Sequence, residues 1–216
     1  MYAVLRNRNY ACLWFGGIIS SLGDWVLRGA LPFYVYARTN SALIAGLTFM
    51  ATALPWVLLS SVAGVFVDHW NYKRTMIIAD LARAVFILML LLVVVVPQLF
   101  WLVYVVSFLE ACITQFFNPA SVALAPQIVS KDQLQVANSL GSMGASFSRL
   151  VGPLLGGMLL SLLGPASAFI ADGLSYIGSV VMIALVLVPT TPTEESHQSS
   201  PRSEAMTKWM TYWHDC

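Results

Sequence analysis

Long apolar runs constrain the fold of this chain more than any other feature of its sequence. A run of about 18 or more predominantly apolar residues can cross the hydrocarbon core of a bilayer as a helix. Such runs recur between residues 11 and 188, and charged residues make up only 10% of the chain. Soluble domains carry about 25% charged residues. The sequence therefore predicts an all-α membrane protein with six transmembrane helices.

The predicted spans are joined by short connections. We place them at residues 11–36, 42–67, 75–96, 99–122, 136–162 and 166–188. Residues 189–216 shift abruptly to Pro, Thr, Ser and charged residues, a composition typical of a flexible linker. The expected organisation is a cytoplasmic N-terminus at 1–10, a transmembrane bundle at 11–188 and a polar cytoplasmic linker at 189–216.

Basic residues concentrate on one side of the predicted bundle. By the parity of the connections, that side carries Arg6, Arg8, Lys73, Arg74 and Lys131. The opposite side carries Arg38. Because Lys and Arg are enriched in cytoplasmic loops, we expect a multi-pass protein of the cell (inner or plasma) membrane with both termini in the cytoplasm.

The remaining composition disfavours several other classes of protein. The formal net charge is +1, so no overall field attracts nucleic acid. Cys12, Cys112 and Cys216 are far apart and match no metal-ligand or redox spacing. The histidines form no cluster, and no nucleophile stands in a recognisable catalytic arrangement. We therefore predict no metal, no cofactor and no enzymatic activity, and a membrane-embedded enzyme is the least favoured alternative.

The first motif lies where span two ends, in "GVFVDHWNYKRT". Gly64 precedes Asp68 by four residues, so both lie on one helical face, and the glycine lets a neighbouring helix approach the carboxylate. Lys73 and Arg74 can pair with that carboxylate or with the ends of nearby helices. The motif predicts a cytoplasmic clasp; alternatively, its basic residues only fix the topology.

The second motif lies in span five, in "SRLVGPLLGGML". Pro153 removes a backbone hydrogen bond and can kink the helix. Gly152, Gly156 and Gly157 allow close approach of another helix. The stretch predicts a helix that can bend or slide against its neighbour, although a static packing seam would use the same residues.

Together these motifs resemble those of the major facilitator superfamily. The region of Gly64 to Arg74 is similar to the superfamily's loop between helices two and three, with His69 in place of the usual arginine. "GPLLGG" resembles the fifth-helix motif of its exporters, with Ser148 replacing the first glycine. "RNRNYACLWFGGIISSLGDWVLRGALP", "FFNPASVALAPQIVSKDQLQVANSLGS" and "GPASAFIADGLSYIGSVVMIAL" resemble a branch that includes macrolide and siderophore effluxers. The resemblance covers nearly all of residues 1–190.

The resemblance implies the N-terminal half of a major-facilitator fold. It also implies a proton-coupled exporter, an antiporter of small amphipathic drug- or siderophore-type molecules. The expected partners are the bilayer, the substrate, protons and a second six-helix bundle, which is either a missing C-terminal half or a dimer mate. Residues 189–216 would then begin a truncated central loop. A fragment, a truncated gene product and a dimerising half remain open, as does a non-transporting membrane scaffold or an inactive remnant.

Charge within a span is costly and usually faces a cavity or a partner. Asp24 and Arg28 are spaced i, i+4 and can pair on one face. Glu110 lies near the middle of span four, Arg149 near the middle of span five and Asp172 in the outer part of span six. The resemblance implies that helices one and four line the central cavity. Asp24, Arg28 and Glu110 are therefore the leading candidates there, and Asp172 is expected to be a structural partner.

Proton exchange is the chemistry expected of these charges. Desolvation raises the proton affinity of a carboxylate and a nearby arginine lowers it, so Glu110 or Asp24 is predicted to exchange the coupling proton. The alternative is a pair of fixed ion bridges, Asp24 with Arg28 and Glu110 with Arg149. Gln115 and Asn118 follow Glu110 by one and two helical turns and could bind substrate, although Asn118 before a proline equally marks a kink.

Overall fold

The computed structural model describes residues 2–187. Within that range it contains six helices that are long and apolar enough to cross a membrane, and no strand. This confirms the predicted all-α membrane fold. The predicted linker at residues 189–216 lies outside the described residues.

The six long helices are labelled α1 to α6. They are α1 Arg8–Thr39, α2 Ala42–Val67, α3 Tyr72–Val95, α4 Leu102–Ile128, α5 Leu134–Leu163 and α6 Pro165–Ala184. Three short elements accompany them: an N-terminal helical turn at Tyr2–Leu5 and 3-10 turns at Pro97–Leu99 and Lys131–Gln133.

Capping side chains set helix ends that apolar periodicity did not locate. α1 begins at Arg8 because the side chain of Asn7 accepts hydrogen bonds from two backbone N–H groups of its first turn. Asn71 caps α3 by accepting a hydrogen bond from the N–H of Arg74, so this helix begins three residues before its predicted start. α4 runs on to Ile128, six residues past its predicted end, with Pro119 and Pro126 inside it.

The helices pack around α1, which contacts α5 and α6 most extensively. α3 packs against α4 and α6, and α2 packs against α4. Four apolar clusters are buried in the described part of the bundle. One contains Leu31, Val35 and Leu90, and another contains Leu13 and Leu124. Asp24, Asp80, Arg83 and Glu110 lie in sequence between these two clusters, near the middle of α1, α3 and α4, whereas Tyr176 of α6 belongs to the first cluster.

The N-terminal segment ties three helix ends together on the side predicted to be cytoplasmic. Asn7 Nδ2 donates to the carbonyl of Ile128 at the end of α4 (2.9 Å). Asn9 Nδ2 donates to the carbonyl of Leu187 (2.9 Å), whose N–H donates back to Asn9 Oδ1 (3.1 Å). Tyr10 donates its hydroxyl hydrogen to a carbonyl of α5 (2.7 Å). The bond to Ile128 satisfies a carbonyl that the C-terminal end of α4 leaves free.

Candidate functional site

A cavity of about 870 Å³ opens between the helices. It is bordered by α1, α2, α4 and α5, with one arginine from α3. All six residues predicted for substrate binding or proton coupling line it: Asp24, Arg28, Glu110, Gln115, Asn118 and Arg149. Residues that are distant in sequence are thus brought to one space of the size that holds a drug-like molecule.

The wall that α2 contributes is mostly apolar. Phe49 and Trp56 line it together with Thr48 and Thr52. Phe33 of α1 also borders the cavity. An amphipathic molecule would therefore meet both aromatic surface and polar groups in the same space.

A buried arginine organises the polar side. Arg83 of α3 is 1% exposed, and its Nη1 lies 3.6 Å from Asp24 Oδ2 on α1. Its Nη2 pairs with Asp80, one helical turn earlier on α3. The guanidinium also stacks 4.5 Å from the ring centroids of both Phe117 and Tyr176. Arg83 therefore links α1, α3, α4 and α6 at the centre of the bundle.

Tyr176 of α6 bridges two carboxyl groups. Its hydroxyl oxygen lies 2.5 Å from Asp24 Oδ1 and 3.1 Å from Glu110 Oε1. A phenol has one hydroxyl hydrogen and can donate it to only one of them. For both contacts to be hydrogen bonds, one carboxyl group must carry a proton and donate it to the phenol oxygen. The geometry therefore fits one additional proton shared among Asp24, Tyr176 and Glu110 beside the cavity.

Glu110 is held by a second hydroxyl group. Thr114, one turn later on α4, lies 3.1 Å from Glu110 Oε1 and accepts a hydrogen bond from Arg83 Nη1 (3.4 Å). Glu110 is 4% exposed and Thr114 is 6% exposed. Thr114 thus connects the carboxyl group of Glu110 to the arginine without direct ion pairing.

Sequence reasoning missed Asp80, Arg83 and Tyr176. The signal for the first two was present, because they are charged residues inside span three at i, i+3 spacing, and the rule that intramembrane charges mark functional sites applies to them equally. Tyr176 carried no such signal, since a lone tyrosine in an apolar helix is usually a packing residue.

The two ion pairs considered from sequence do not form among the described residues. Asp24 contacts Arg83 and Tyr176 instead of Arg28, and Glu110 contacts Thr114 and Tyr176 instead of Arg149. Arg28 and Arg149 both turn to Trp25. Their guanidinium carbons lie 5.2 Å and 5.3 Å from the centroid of that indole ring.

Asp172 is buried where α6 meets α1. It is fully excluded from solvent, and its Oδ1 lies 3.5 Å from the hydroxyl oxygen of Ser175. A side chain at Gly23 of α1 would clash with both Asp172 and Ser175. Asp172 therefore occupies a close contact between the two helices, outside the cavity lining.

The clasp motif lies at the ends of α2 and α3. Asp68 ends α2 and is exposed. Lys73 Nζ donates to the carbonyls of Ala184 and Val186 at 2.8 Å and 2.7 Å, so it binds the C-terminal end of α6, where a cation is favourable. The basic residues were expected to pair either with the carboxylate of Asp68 or with a helix end, and Lys73 binds a helix end. Gly64 has no atom within 4 Å of the position that a Cβ would take.

The glycine motif divides into two faces. A Cβ on Gly152 would meet Trp25, and a Cβ on Gly156 would meet the carbonyl oxygen of Val26. From the other helix, a Cβ on Gly29 would lie 2.5 Å from Pro153 Cα. These glycines therefore allow backbone contact between α1 and α5. Gly157 has no atom within 4 Å of its Cβ position and lies on another face of α5.

In the described part of the chain, no group of three or more His, Cys, Asp or Glu residues could hold a metal ion. The cavity lining presents carboxyl, hydroxyl, amide and guanidinium groups.

The family profile and the similar proteins agree on one family of transporters. The profile of the family described as "Transmembrane secretion effector" matches residues 1–212. Macrolide efflux protein A of Streptococcus pyogenes is 28% identical over 178 residues, which cover 82% of this chain and 44% of that protein. An uncharacterised MFS-type transporter of Bacillus subtilis is 30% identical over 77% of this chain and 40% of its own length. A multi-drug resistance efflux pump of Streptococcus pneumoniae is 25% identical over 83% of this chain and 43% of its own length.

The chain spans less than half the length of these curated relatives. No solved structure matches it.

Proposed function

Because the chain belongs to the transmembrane secretion effector family of the major facilitator superfamily, we propose that it forms one six-helix bundle of a secondary-active exporter of small amphipathic molecules. Its membership confirms the resemblance seen in the sequence, and its six helices match one half of the major-facilitator fold. The complete transporter has a second bundle, and access to the site alternates as one bundle rocks against the other.

One observation carries this proposal. Six polar and charged residues from three helices line a single cavity of about 870 Å³ that also has an aromatic wall. A non-transporting scaffold would need only mutually paired charges and a closed interior. Within the described residues, Arg28 and Arg149 have no ion-pair partner, and the interior is open beside them. The arrangement supports cargo binding better than a purely structural role.

Protons are the proposed coupling ion, and Asp24 and Glu110 are the proposed carriers. Asp24 faces Arg83 and accepts a hydrogen bond from the hydroxyl group of Tyr176. Glu110 faces a phenol and a threonine hydroxyl, and its protonated form can donate to the oxygen of Tyr176. We propose that a proton resides on Glu110 when Asp24 is paired with Arg83.

The other charged groups around this pair come from α1, α3, α5 and α6, whereas α2 supplies none. α3 supplies Asp80 and Arg83, α1 supplies Arg28, α5 supplies Arg149 and α6 supplies Asp172. Cargo that arrives beside Arg28 or a shift of α1 against α4 and α6 would change the field at Glu110. That change would release the proton from Glu110, and proton movement would thus be coupled to cargo movement.

The proposed orientation places both termini in the cytoplasm. The N-terminal segment, the clasp motif and the end of α6 then lie on the cytoplasmic side, where Lys73 binds the carbonyls of Ala184 and Val186. Asp68 remains exposed there, in a position to contact the second bundle.

The test is drug-driven proton release in vesicles that contain this bundle together with its second bundle. Glu110→Gln and Asp24→Asn should each reduce proton-coupled efflux at least tenfold while leaving the amount of protein in the membrane largely unchanged. Asp132→Asn is the matched control, because Asp132 is exposed in the turn before α5. Unchanged coupled efflux in both test variants would refute the assignment of the proton site.

A further inference from the structure

We propose that Arg28, Arg149 and Trp25 form a subsite for the acidic group of an amphipathic organic anion. The inference deepens the proposed export function and rests on it, since it names the class of cargo that the cavity would take.

The geometry places two cations against one aromatic side chain. Trp25 and Arg28 belong to α1, and Arg149 reaches the same indole from α5, with both guanidinium carbons just over 5 Å from the ring centroid. All three side chains line the cavity. Guanidinium groups are favourable on the face of an indole, and a stacked guanidinium keeps its N–H donors at its edges. Those donors remain available to a bound molecule.

Neither guanidinium has a carboxylate partner among the described residues. The carboxylates nearest to them in the cavity are engaged elsewhere: Asp24 contacts Arg83 and Tyr176, and Glu110 contacts Thr114 and Tyr176. The Nε atom of Arg28 is buried and has no hydrogen-bond partner. The cavity is therefore divided, with negative groups toward α3 and α6 and two unneutralised cations toward α5.

Unpaired charge at the middle of a membrane bundle is unfavourable, and arginines in such positions mark ligand pathways. A carboxylate or another compact acidic group would neutralise these cations and accept paired N–H donors in the fork geometry that arginine prefers. A cationic ligand would meet repulsion from both guanidiniums. The observations therefore favour an anion over a cation.

The rest of the ligand must be largely apolar. α2 contributes Phe49 and Trp56 to the cavity lining, and α1 contributes Phe33. Thr48 and Thr52 add hydroxyl groups, although each already donates within α2. A ligand whose acidic group binds at Trp25 would thus place its aromatic or aliphatic part against α2.

Three probes with one apolar body test the proposal on the purified protein in detergent. They are 2-naphthoate, the neutral 2-naphthamide and the cationic 2-naphthylmethylammonium, with binding measured by calorimetry at pH 7.5. We expect naphthoate to bind about tenfold more tightly than naphthamide, as hydrogen bonds to charged groups imply, and the ammonium probe to bind most weakly. Equal affinities, tighter binding of the ammonium probe or no binding of naphthoate would overturn the proposal.

Variants assign the preference to the subsite. Arg28→Gln and Arg149→Gln should each reduce the preference for naphthoate to about twofold or less. Arg38→Gln is the matched control, because Arg38 also lies on α1 and over an aromatic ring, 5.7 Å from the centroid of Tyr34, but does not line the cavity. A preference that survives both cavity substitutions would refute the assignment, and the comparison of probes on the unaltered protein holds even where a variant fails to fold.

Failure of this inference can be told apart from failure of the export function. If naphthamide binds as well as naphthoate and Phe49→Ala weakens both, the cavity still binds apolar cargo and only the anion subsite is wrong. If vesicles show no cargo-dependent proton movement, the export proposal is wrong whichever probe binds.

Discussion

Replacing Gly156 with alanine tests the contact between α1 and α5 more directly than any other substitution. The new Cβ would meet the carbonyl oxygen of Val26, and it would lie 3.0 Å from the carbonyl carbon of that residue and 3.2 Å from the backbone nitrogen of Ala30. All three atoms belong to the backbone of α1, so no side-chain rotation relieves the overlap. Gly157→Ala is the matched control, because its Cβ position has no neighbour within 4 Å.

The expected magnitude follows from two opposing terms. Gly→Ala inside a helix stabilises by up to about 1 kcal/mol, and this term is shared by both variants. Overpacking of an interior costs about 1–3 kcal/mol, and this term applies to Gly156→Ala alone. The two variants should therefore differ by about 1–3 kcal/mol in their free energy of unfolding, which corresponds to a factor of about five to 140 in the unfolding equilibrium.

The assay is reversible unfolding of the purified protein in mixed dodecyl maltoside and SDS micelles, followed by circular dichroism. Gly156→Ala should unfold at a lower SDS fraction than Gly157→Ala. Gly29→Ala should behave like Gly156→Ala, because its Cβ would meet the backbone of Pro153 from the opposite helix. If Gly156→Ala and Gly157→Ala unfold at the same SDS fraction, α1 and α5 are not in backbone contact and the interpretation of the motif is wrong.

Three further substitutions test other contacts. Arg83→Gln should lower the free energy of unfolding by about 3–5 kcal/mol, because it leaves Asp80 as a buried charge without its partner; the same SDS titration should show partial recovery when Asp80→Asn is added. Lys73→Met should weaken the end of α6 by about 1 kcal/mol, seen as faster hydrogen exchange at residues 184–187, whereas Arg74→Met, at an exposed position, should not. Tyr10→Phe removes a buried 2.7 Å hydrogen bond to α5 and should cost about 1 kcal/mol, and an unchanged SDS midpoint would show that this bond contributes nothing.

The fold could be predicted from sequence because the bilayer leaves few alternatives. Apolar runs of sufficient length must become helices when no water satisfies the backbone, so their number and order follow directly. The ends could not be placed in this way. α4 continues to Ile128 through Pro126, and α1 starts at a cap formed by Asn7. Such ends depend on local hydrogen bonds outside the apolar core.

The site could be predicted only in part. Intramembrane charge identified Asp24, Arg28, Glu110 and Arg149, and the structure places all four around one cavity. The pairing was not predictable, because i, i+4 spacing permits a bond between Asp24 and Arg28 without requiring it. Arg83, from another helix, occupies the position beside Asp24 instead. Which partner a buried charge takes is decided by helix packing, and one sequence does not specify it.

The glycine motif of α5 and the proposed anion subsite are parts of one structure. A side chain at Gly152 would overlap the Cβ and backbone atoms of Trp25, so the absence of a side chain there leaves room for Trp25 against α5. Arg149, one turn before Gly152, can then reach the same ring that Arg28 contacts from α1. Gly152→Ala should therefore displace Trp25 and weaken the naphthoate preference, whereas Gly156→Ala should affect mainly stability. The glycine motif thus serves helix packing at Gly156 and shapes the cavity at Gly152. Comparing Gly152→Ala with Gly156→Ala in the binding and unfolding assays separates these two roles.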